Sequence, residues 1–353
     1  MVYSTAAVRE EKTMKSRTKN RLSEEKIREL VRIHFGQDCE TGEITELTGG
    51  MFNAIYRIER EREEDAVILK VGVVPGTTLL TYEQDIMPVE VECFRMIREQ
   101  TNVPVPEVLA YDFSKKYIDS NYFFMTELKG EQFSKVMKKI GQKNVDRIRE
   151  ELAGYLYQMH GIKGRYFGYF TDDKGRQYKT WKEAFLQMFR QILTDSRAHH
   201  VRLPYERITA ALQRYSKCLE DVTEPSLVEY DCHEGNIFVR DTGKGYEIEG
   251  ILDFERAFWG DPIADFPTAF VFTDDIRKEK PFLNAYLKVS GTKAYTETDA
   301  VKYQLYRMYI LTIMAAETFR YGFWYGKLQG MWAKWPFCAD PAVQVQEISA
   351  VIP

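Results

Sequence analysis

The stretch from residue 228 to 265, VEYDCHEGNIFVRDTGKGYEIEGILDFERAFWGDPIAD, constrains this chain more than any other. Two short apolar runs, residues 237–239 and 248–252, flank the turn-rich link DTGKGY, and this pattern predicts a β-hairpin. Asn236 precedes the first run and Asp253 follows the second, so a hairpin would bring the two side chains to one end. Asp231 lies five positions before Asn236. The alternative is that Asp and Asn only start and stop strands here.

These residue types suit one kind of chemistry. Mg²⁺ prefers oxygen ligands, and Asn236 and Asp253 offer an amide oxygen and a carboxylate. The Asp231 carboxylate can accept the proton of a hydroxyl group. The spacing D-x-x-x-x-N followed by D-F is typical of phosphoryl-transfer sites, where positioning and charge neutralisation carry most of the catalysis. We therefore predict a metal site at Asn236 and Asp253, with Asp231 as the catalytic base.

Motifs nearer the start of the chain predict a nucleotide site. Gly49 and Gly50 lie in LTGGMFNAIYRI, between two strand-like runs, and paired glycines let backbone N–H groups approach phosphates closely. An ordinary tight hairpin is the alternative. Lys70 ends the apolar run AVILK, which resembles the V-A-I-K strand whose lysine binds the α and β phosphates. An ordinary lysine at a strand end is the alternative here.

A helix with one apolar face is predicted next, over VEVECFRMI. A glutamate on this helix could pair with Lys70 and fix its ammonium group. We prefer Glu92 for this role, with Glu90 as the competing candidate. The prolines of TNVPVPEV then end the helix, because each one removes a donor and disfavours helix before it.

In their order and spacing, these motifs resemble the aminoglycoside phosphotransferase-like family over roughly residues 45–270, together with VPVPEVLAYD, YFFMTELKG, YLYQMHGI and GDPIADF. The resemblance implies an α+β, two-lobed protein-kinase-like fold. The N-lobe would be a small antiparallel sheet with one key helix, and the C-lobe would be larger and mainly α-helical. We expect a flexible arm over residues 1–22, the N-lobe over 23–127, a hinge near 125–129 and the C-lobe over 128–353.

The resemblance also implies ATP, with GTP as an alternative, and Mg²⁺ as cofactors. The residues that it places around the nucleotide are Gly49, Gly50, Asn53, Lys70, Met125, Thr126 and Leu128. The residues that it gives to catalysis and metal binding are Asp231, Lys70, Glu92, Asn236 and Asp253. In the GDPIAD segment, Asp261 and Asp265 are interpreted as scaffold residues that hold loops by hydrogen bonds.

The chain departs from the family pattern just before the predicted base. The family usually reads H-G-D-x-H-P-G-N, whereas residues 229–236 read EYDCHEGN. Glu229 and Tyr230 therefore replace a histidine and a glycine. A carboxylate two residues from Asp231 raises the cost of ionising both. We expect Glu229 either to be bound by a nearby cation or to point to solvent.

The acceptor is less constrained by the sequence. Aromatic residues are frequent over residues 166–170, 181–189 and 319–335, where the family builds its acceptor pocket. Aromatic faces bind sugar rings, apolar rings and quaternary ammonium groups, although a packed aromatic core is the alternative. We predict a small-molecule hydroxyl acceptor, such as an aminoglycoside or another antibiotic. The alternatives are a kinase of choline, ethanolamine, an amino sugar or homoserine, and a nucleotide-binding pseudokinase that acts as an interaction module.

Composition supports this class of protein. The net charge is −4, which gives no electrostatic reason to expect nucleic acid. The five cysteines form no C-x-x-C pair, so they suggest neither a zinc site nor a disulfide framework. The sequence has no run of about 18 apolar residues and no apolar secretory core at its start. We expect a cytoplasmic enzyme without membrane association, as a monomer or homodimer.

Overall fold

The computed structural model describes residues 18–48, 52–60 and 66–320, which fall into two units. The first unit comprises the described residues up to 78 together with 108–127. The second comprises 79–107 together with the described residues from 128 onward. The predicted boundary placed 79–107 with the N-terminal lobe, whereas the structure groups this segment with the second unit.

The first unit is an antiparallel sheet with one helix. Its elements are α1 (Glu24–Phe35), β1 (Thr41–Leu47), β2 (Ala54–Arg60), β3 (Val67–Val71), β4 (Val108–Asp112) and β5 (Tyr122–Thr126). The strand order is β1-β2-β3-β5-β4, so β3 is the central strand, and all five of its residues are buried. In β2 the buried residues alternate, as expected for a strand with one covered face.

Helix α1 covers one face of this sheet. Its start is fixed by Ser23, whose side chain accepts a hydrogen bond from the Lys26 N–H, and the helix ends at Gly36 with a positive φ of 106°. Ile27 and Leu30 lie fully buried on its apolar side, in the same cluster as residues of β2, β3 and β5. The sequence predicts this helix, with Ser23 as its cap and Gly36 as its stop, and the structure confirms it.

The second unit is mainly helical. Its helices are α2 (Ile86–Gln100), α3 (Phe133–Val136), α4 (Gln142–His160), α5 (Trp181–Ala198), α6 (Tyr205–Tyr215), α7 (Phe266–Ala269), α8 (Lys280–Ser290) and α9 (Glu297–Ala316). Its strands are β6 (Glu131–Gln132), β7 (Gly168–Tyr169), β8 (Ser226–Val228), β9 (Ile237–Asp241), β10 (Tyr246–Ile251) and β11 (Phe258–Gly260). These strands form two sheets, β10-β9-β6 and β7-β11-β8. Within the described residues, no helix combines the length and apolar character needed to cross a membrane.

Aromatic side chains form the centre of this unit. The Trp181 indole stacks on Phe258 at 5.5 Å between ring centroids, and its N–H donates to the Tyr306 hydroxyl over 2.7 Å. Tyr306 in turn donates to Asp261 over 2.7 Å, so each polar atom in this chain of buried groups has a partner. The aromatic residues predicted over 181–189 therefore serve partly as core, as the alternative interpretation of that segment allowed.

The predicted hairpin is present. Strands β9 and β10 pair in antiparallel fashion, with Ile237 opposite Ile251 and a register shift between Ile248 and Gly250. Strand β6 adds to the other edge of β9. Just before β6, the backbone N–H groups of Lys129 and Gly130 both donate to the carboxylate of Glu249. This carboxylate therefore fixes the chain at the point where it enters the second unit.

Two glycines test how closely this unit is packed. A Cβ on Gly130 would lie far inside contact distance of the Val239 carbonyl oxygen, whereas a Cβ on Gly154, inside α4, would meet no atom within 4 Å. We expect Gly130→Ala to lower the unfolding temperature, because backbone must move. Gly154→Ala should instead stabilise the protein by about 0.5–1 kcal/mol, because alanine favours helix. Thermal denaturation checks both variants, and equal effects would contradict this account of the packing.

Candidate active site

The hairpin brings Asn236 and Asp253 to the same end. Asn236 directly precedes β9, and its carbonyl oxygen accepts a hydrogen bond of 2.9 Å from the N–H of Leu252, the residue before Asp253. The Asn236 side-chain amide donates to the Asp231 carbonyl oxygen over 2.9 Å. This bond leaves the amide oxygen of Asn236 as the atom suited to a metal. The three residues of the predicted site thus lie on one short loop and one strand end.

A group of three carboxylates forms around Asp253. This residue has a left-handed backbone, with φ 72° and ψ 59°, which turns the chain sharply after β10. The ligand atoms of Glu90, Asp253 and Glu255 all lie within 4.8 Å of one another, and Glu90 is 2% exposed. Hard oxygen donors in such a cluster match the preference of Mg²⁺. Their mutual repulsion also favours binding of a divalent cation.

The two glutamates of α2 differ in environment. Glu92, the residue preferred from the sequence, lies on the exposed face of the helix. Glu90 lies on the buried face, between the core residues Met87 and Phe94. Phe94 packs edge-on against Phe254 at 5.4 Å, and this contact holds α2 beside the D-F-E turn. The helix therefore presents Glu90, rather than Glu92, to the carboxylates of that turn.

Asp231 is bound by an arginine that the sequence reasoning did not assign. The Arg256 guanidinium donates to Asp231 Oδ1 over 3.0 Å and to Glu317 Oε1 over 2.6 Å. Burial raises the pKa of Asp231 to about 8; Arg256 opposes this rise, and Asp253 adds to it. His233 lies farther away, with Nε2 at 4.0 Å from Asp231 Oδ1. Arg256 is thus the cation that partly offsets the cost of placing the Asp231 charge here.

The prediction for Glu229 was wrong. Its side chain is 1% exposed, so it does not point to solvent, and the hydrogen bond that Oε2 accepts comes from the backbone N–H of Asp231 over 2.8 Å. Among the described residues, Oε1 has no hydrogen-bond partner. Burial, together with the nearby Asp265 and Asp231, raises the pKa of Glu229 well above its ordinary value. A buried carboxyl group with a raised pKa therefore occupies the position where the family usually has histidine.

Tyr230 occupies the position of the usual glycine. Its φ is 63°, in the left-handed region that costs side chains energy and that glycine adopts freely. The ring is fully buried, contacts Phe258 and Tyr309, and donates its hydroxyl hydrogen to the Tyr306 carbonyl oxygen over 2.8 Å. Packing of this ring offsets the backbone strain.

The scaffold role expected for Asp265 is confirmed. Its carboxylate accepts the backbone N–H groups of Glu229 and Tyr230 over 3.2 and 2.7 Å. It also contacts His160 Nε2 at 2.9 Å, and the other ring nitrogen of His160 contacts the Tyr286 hydroxyl at 2.7 Å. Asp265 and His160 therefore hold the backbone on which Asp231 lies.

The predicted nucleotide residues are divided between the units. In the first unit, Lys70 is buried in β3, opposite Ile55 on one side and Phe123 on the other. Asn53 is buried just before β2, and Met125 and Thr126 end β5. Leu128 belongs to the second unit, where it packs against Gly250. Gly49 and Gly50 lie outside the described residues.

Some functional side chains were missed by the sequence reasoning. Glu255 and Arg256 directly follow the recognised Asp253-Phe254 pair, so the run DFER was the available signal. Glu317 binds Arg256 and accepts a hydrogen bond from Tyr82. Three further carboxylates that an acceptor amine could use, those of Asp195, Asp274 and Asp275, each bind separate local partners. Of the predicted aromatic acceptor regions, residues 321–335 lie outside the described part of the chain.

A comparison with family models matches residues 43–301 to the phosphotransferase enzyme family, abbreviated APH. No curated protein sequence matches the chain. The match spans most of the chain and includes the hairpin, α2 and the GDPIAD segment.

Solved structures show the same fold. A thermostable aminoglycoside phosphotransferase APH(4)-Ia in complex with AMP-PNP and hygromycin B has 15% identity and a TM-score of 0.57, covering 83% of this chain and 91% of its own. The streptomycin–ATP complex of APH(2")-IIa has 18% identity and a TM-score of 0.57, covering 84% and 91%. A protein assigned as a fructosamine-3-kinase, from Haemophilus somnus 129PT, has 14% identity and a TM-score of 0.57, covering 93% and 97%. The predicted α+β, two-lobed kinase-like fold class is confirmed.

The buried acid at residue 229 should make stability depend on pH. Because its pKa is raised in the folded protein, the folded state binds this proton more tightly than the unfolded chain. Its contribution to stability is therefore lost as the pH rises above about 4 toward the folded pKa. Glu229→Gln cannot lose a proton, so its unfolding temperature relative to that of wild type should increase as the pH rises above roughly 5. A difference that does not change with pH would contradict a raised pKa for Glu229.

Removing the Arg256 charge should destabilise the fold. Arg256→Met would leave the partly buried Asp231 and Glu317 without their cation, a loss of up to about 3 kcal/mol by comparison with fully buried pairs. Arg240→Met is the matched control, because Arg240 pairs with Glu247 at an exposed site. Denaturant unfolding should show a clear loss of unfolding free energy for Arg256→Met and no measurable change for Arg240→Met. Equal denaturation midpoints for the two variants would show that Arg256 does not stabilise these carboxylates.

Proposed function

The chain belongs to the phosphotransferase enzyme family, and from this premise we propose that it transfers the γ-phosphoryl group of ATP to a hydroxyl group of a small molecule. The observation that carries the proposal is the position of Asp231. It lies on one loop with Asn236, whose side chain donates to its carbonyl oxygen, and the hairpin brings Asp253 to the same end. A base and a set of hard oxygen ligands are thus adjacent, as phosphoryl transfer requires.

The residues present fit a magnesium ion. Asn236 and Asp253 would hold it, and Glu90 and Glu255 supply further carboxylate oxygens within 4.8 Å of the Asp253 ligand atom. When bound, the ion neutralises charge on the phosphates. Soft ligands are absent from this group of side chains, which agrees with Mg²⁺ rather than a thiolate-binding metal.

The reaction needs one proton acceptor. The acceptor oxygen forms a bond to the γ-phosphorus, the bond from that phosphorus to the bridging oxygen of ADP breaks, and the hydroxyl proton passes to Asp231. Arg256 holds one carboxylate oxygen of Asp231, so the other oxygen is suited to the acceptor hydroxyl. The hydrogen bonds to Asp265 hold the loop backbone in place, so Asp231 keeps this orientation and the loop needs no further ordering.

We assign the nucleotide contacts as the sequence predicts them. Lys70 would bind the α and β phosphates, with Gly49, Gly50 and Asn53 around the phosphate chain. The backbone of Thr126 and Leu128 would bind the adenine, with Met125 beside it. For the glutamate of α2 that would pair with Lys70, Glu90 is the better candidate, because it is buried and Glu92 is exposed. An ATP-dependent phosphoryl transfer suits the cytoplasm, where ATP is available.

Asp231→Asn tests the enzyme against the pseudokinase alternative. The variant keeps the shape of the side chain but removes the base, so transfer should fall by about 10²–10⁴-fold. Stabilisation of the fold by ATP and Mg²⁺ should remain, because Asp231 is not assigned to either. Asp241→Asn is the matched control at an exposed turn and should behave as wild type. Mass detection of a phosphorylated acceptor measures transfer, and the thermal shift with ATP and Mg²⁺ measures nucleotide binding. Undiminished transfer by Asp231→Asn would reject the proposal.

A further inference from the structure

Residues 18–22, which precede α1, are bound to the sheet of the first unit. Thr18 and Lys19 are only 4% and 6% exposed. Lys19 forms an antiparallel bridge with Val73, and the Val74 N–H donates to the Thr18 carbonyl oxygen over 2.8 Å. Segment 18–22 therefore runs beside the chain just after β3 ends.

The same segment contacts the two strands that precede β3. On β1, the Glu46 carboxylate pairs with Arg21 at 3.0 Å and with Lys19 at 3.7 Å. On β2, the Tyr56 hydroxyl accepts a hydrogen bond of 2.8 Å from the Leu22 N–H. The contacts are thus spread over β1, β2 and the chain after β3, and they make the segment a part of this end of the sheet.

One contact reaches the residues assigned to the nucleotide. The Thr18 hydroxyl donates to the Phe52 carbonyl oxygen over 3.1 Å. Phe52 directly precedes Asn53, which is buried and is assigned above to the phosphate chain. Both residues lie ahead of the β2 ladders, which begin at Ala54 with β3 and at Ile55 with β1. The Thr18 hydroxyl therefore holds backbone that the strand pairing does not hold.

Holding this backbone has a consequence for binding. A backbone that is already ordered loses less conformational freedom when a ligand binds, so the ligand binds more tightly. The donor that orders it here is buried, and the rest of segment 18–22 is tied to the sheet by the contacts to Glu46, Tyr56 and Val74. The hydroxyl is therefore presented to Phe52 from a fixed position.

Resting on the proposed function, we propose that Thr18 is a positioning residue for the phosphates of ATP. It acts through the Phe52 carbonyl oxygen, which keeps the adjoining Asn53 backbone ordered, and it does not itself touch the nucleotide. The other contacts of segment 18–22 serve to hold Thr18 in place.

The test measures the Kd of ATP with Mg²⁺, and separately that of adenosine, by calorimetry on the full-length chain. Thr18→Val keeps the branched shape and removes the donor, so the Kd of ATP should rise about fivefold, as expected for one lost hydrogen bond. The Kd of adenosine, which has no phosphates, should not change. Thr18→Ser keeps the hydroxyl and should hold the Kd of ATP within about twofold of wild type.

Thr77→Val is the matched control. The Thr77 hydroxyl also donates to a backbone carbonyl oxygen, that of Val74, over 2.6 Å at an exposed turn of the same unit. The substitution removes the same kind of bond away from Phe52, so it should leave both dissociation constants unchanged.

Equal weakening of ATP and adenosine by Thr18→Val, or no change in either, would overturn the inference, because the bond would then only stabilise the unit. If Thr18→Val does not fold, Arg21→Met decides instead, since that side chain is 45% exposed. Selective loss of ATP affinity in this variant supports the inference, and any other result overturns it. ATP binding by the wild type separates this inference from the proposed function: if the wild type binds ATP, a negative result leaves the function intact, and if it does not, both fail.

Discussion

The site depends on the carboxylate of Asp265. This buried group accepts two consecutive backbone N–H groups, those of Glu229 and Tyr230, and contacts His160 at the end of α4. The bonds fix the chain immediately before Asp231, in a part of the molecule where an unpaired N–H would be costly. Because these bonds are made to the backbone, they do not depend on which side chains occupy residues 229 and 230. The departure of this chain from the usual family motif is understandable on that basis.

Residues 229 and 230 both differ from the usual family motif. A tyrosine replaces glycine at a position with φ 63°, and a buried glutamate with a raised pKa replaces histidine two residues before Asp231. Both changes carry an energetic cost, in backbone strain and in burial of a polar group. The Tyr230 ring offsets part of the cost through its contacts with Phe258 and Tyr309. Through its contact with Tyr309, the same ring joins the loop of Asp231 to the aromatic core of the second unit.

Much of this arrangement could be predicted from sequence, because the signals are local. The DTGKGY turn between two apolar runs specifies the β9–β10 hairpin, and the hairpin alone places Asn236 and Asp253 at one end. The same is true of α1, whose cap and stop are single residues. The choice between Glu90 and Glu92 was available from helical periodicity, because Glu90 lies three positions from Met87 and four from Phe94, on the buried face of the helix. The Arg256 contacts to Asp231 and Glu317 join residues far apart in the chain, so no spacing rule could reveal them. Glu229 was misjudged for a related reason, since its burial depends on the surrounding core.

The central claim is that this site moves an intact phosphoryl group from nucleotide to a hydroxyl oxygen. The most direct measurement uses ATP whose γ-phosphoryl oxygens are labelled with ¹⁸O, together with Mg²⁺ and an accepted substrate, and reads the product by mass and ³¹P NMR. We expect a phosphate ester in which the non-bridging oxygens carry the label and the bridging oxygen is the unlabelled oxygen of the acceptor. Labelled inorganic phosphate without any ester, or an ester whose bridging oxygen came from ATP, would contradict it.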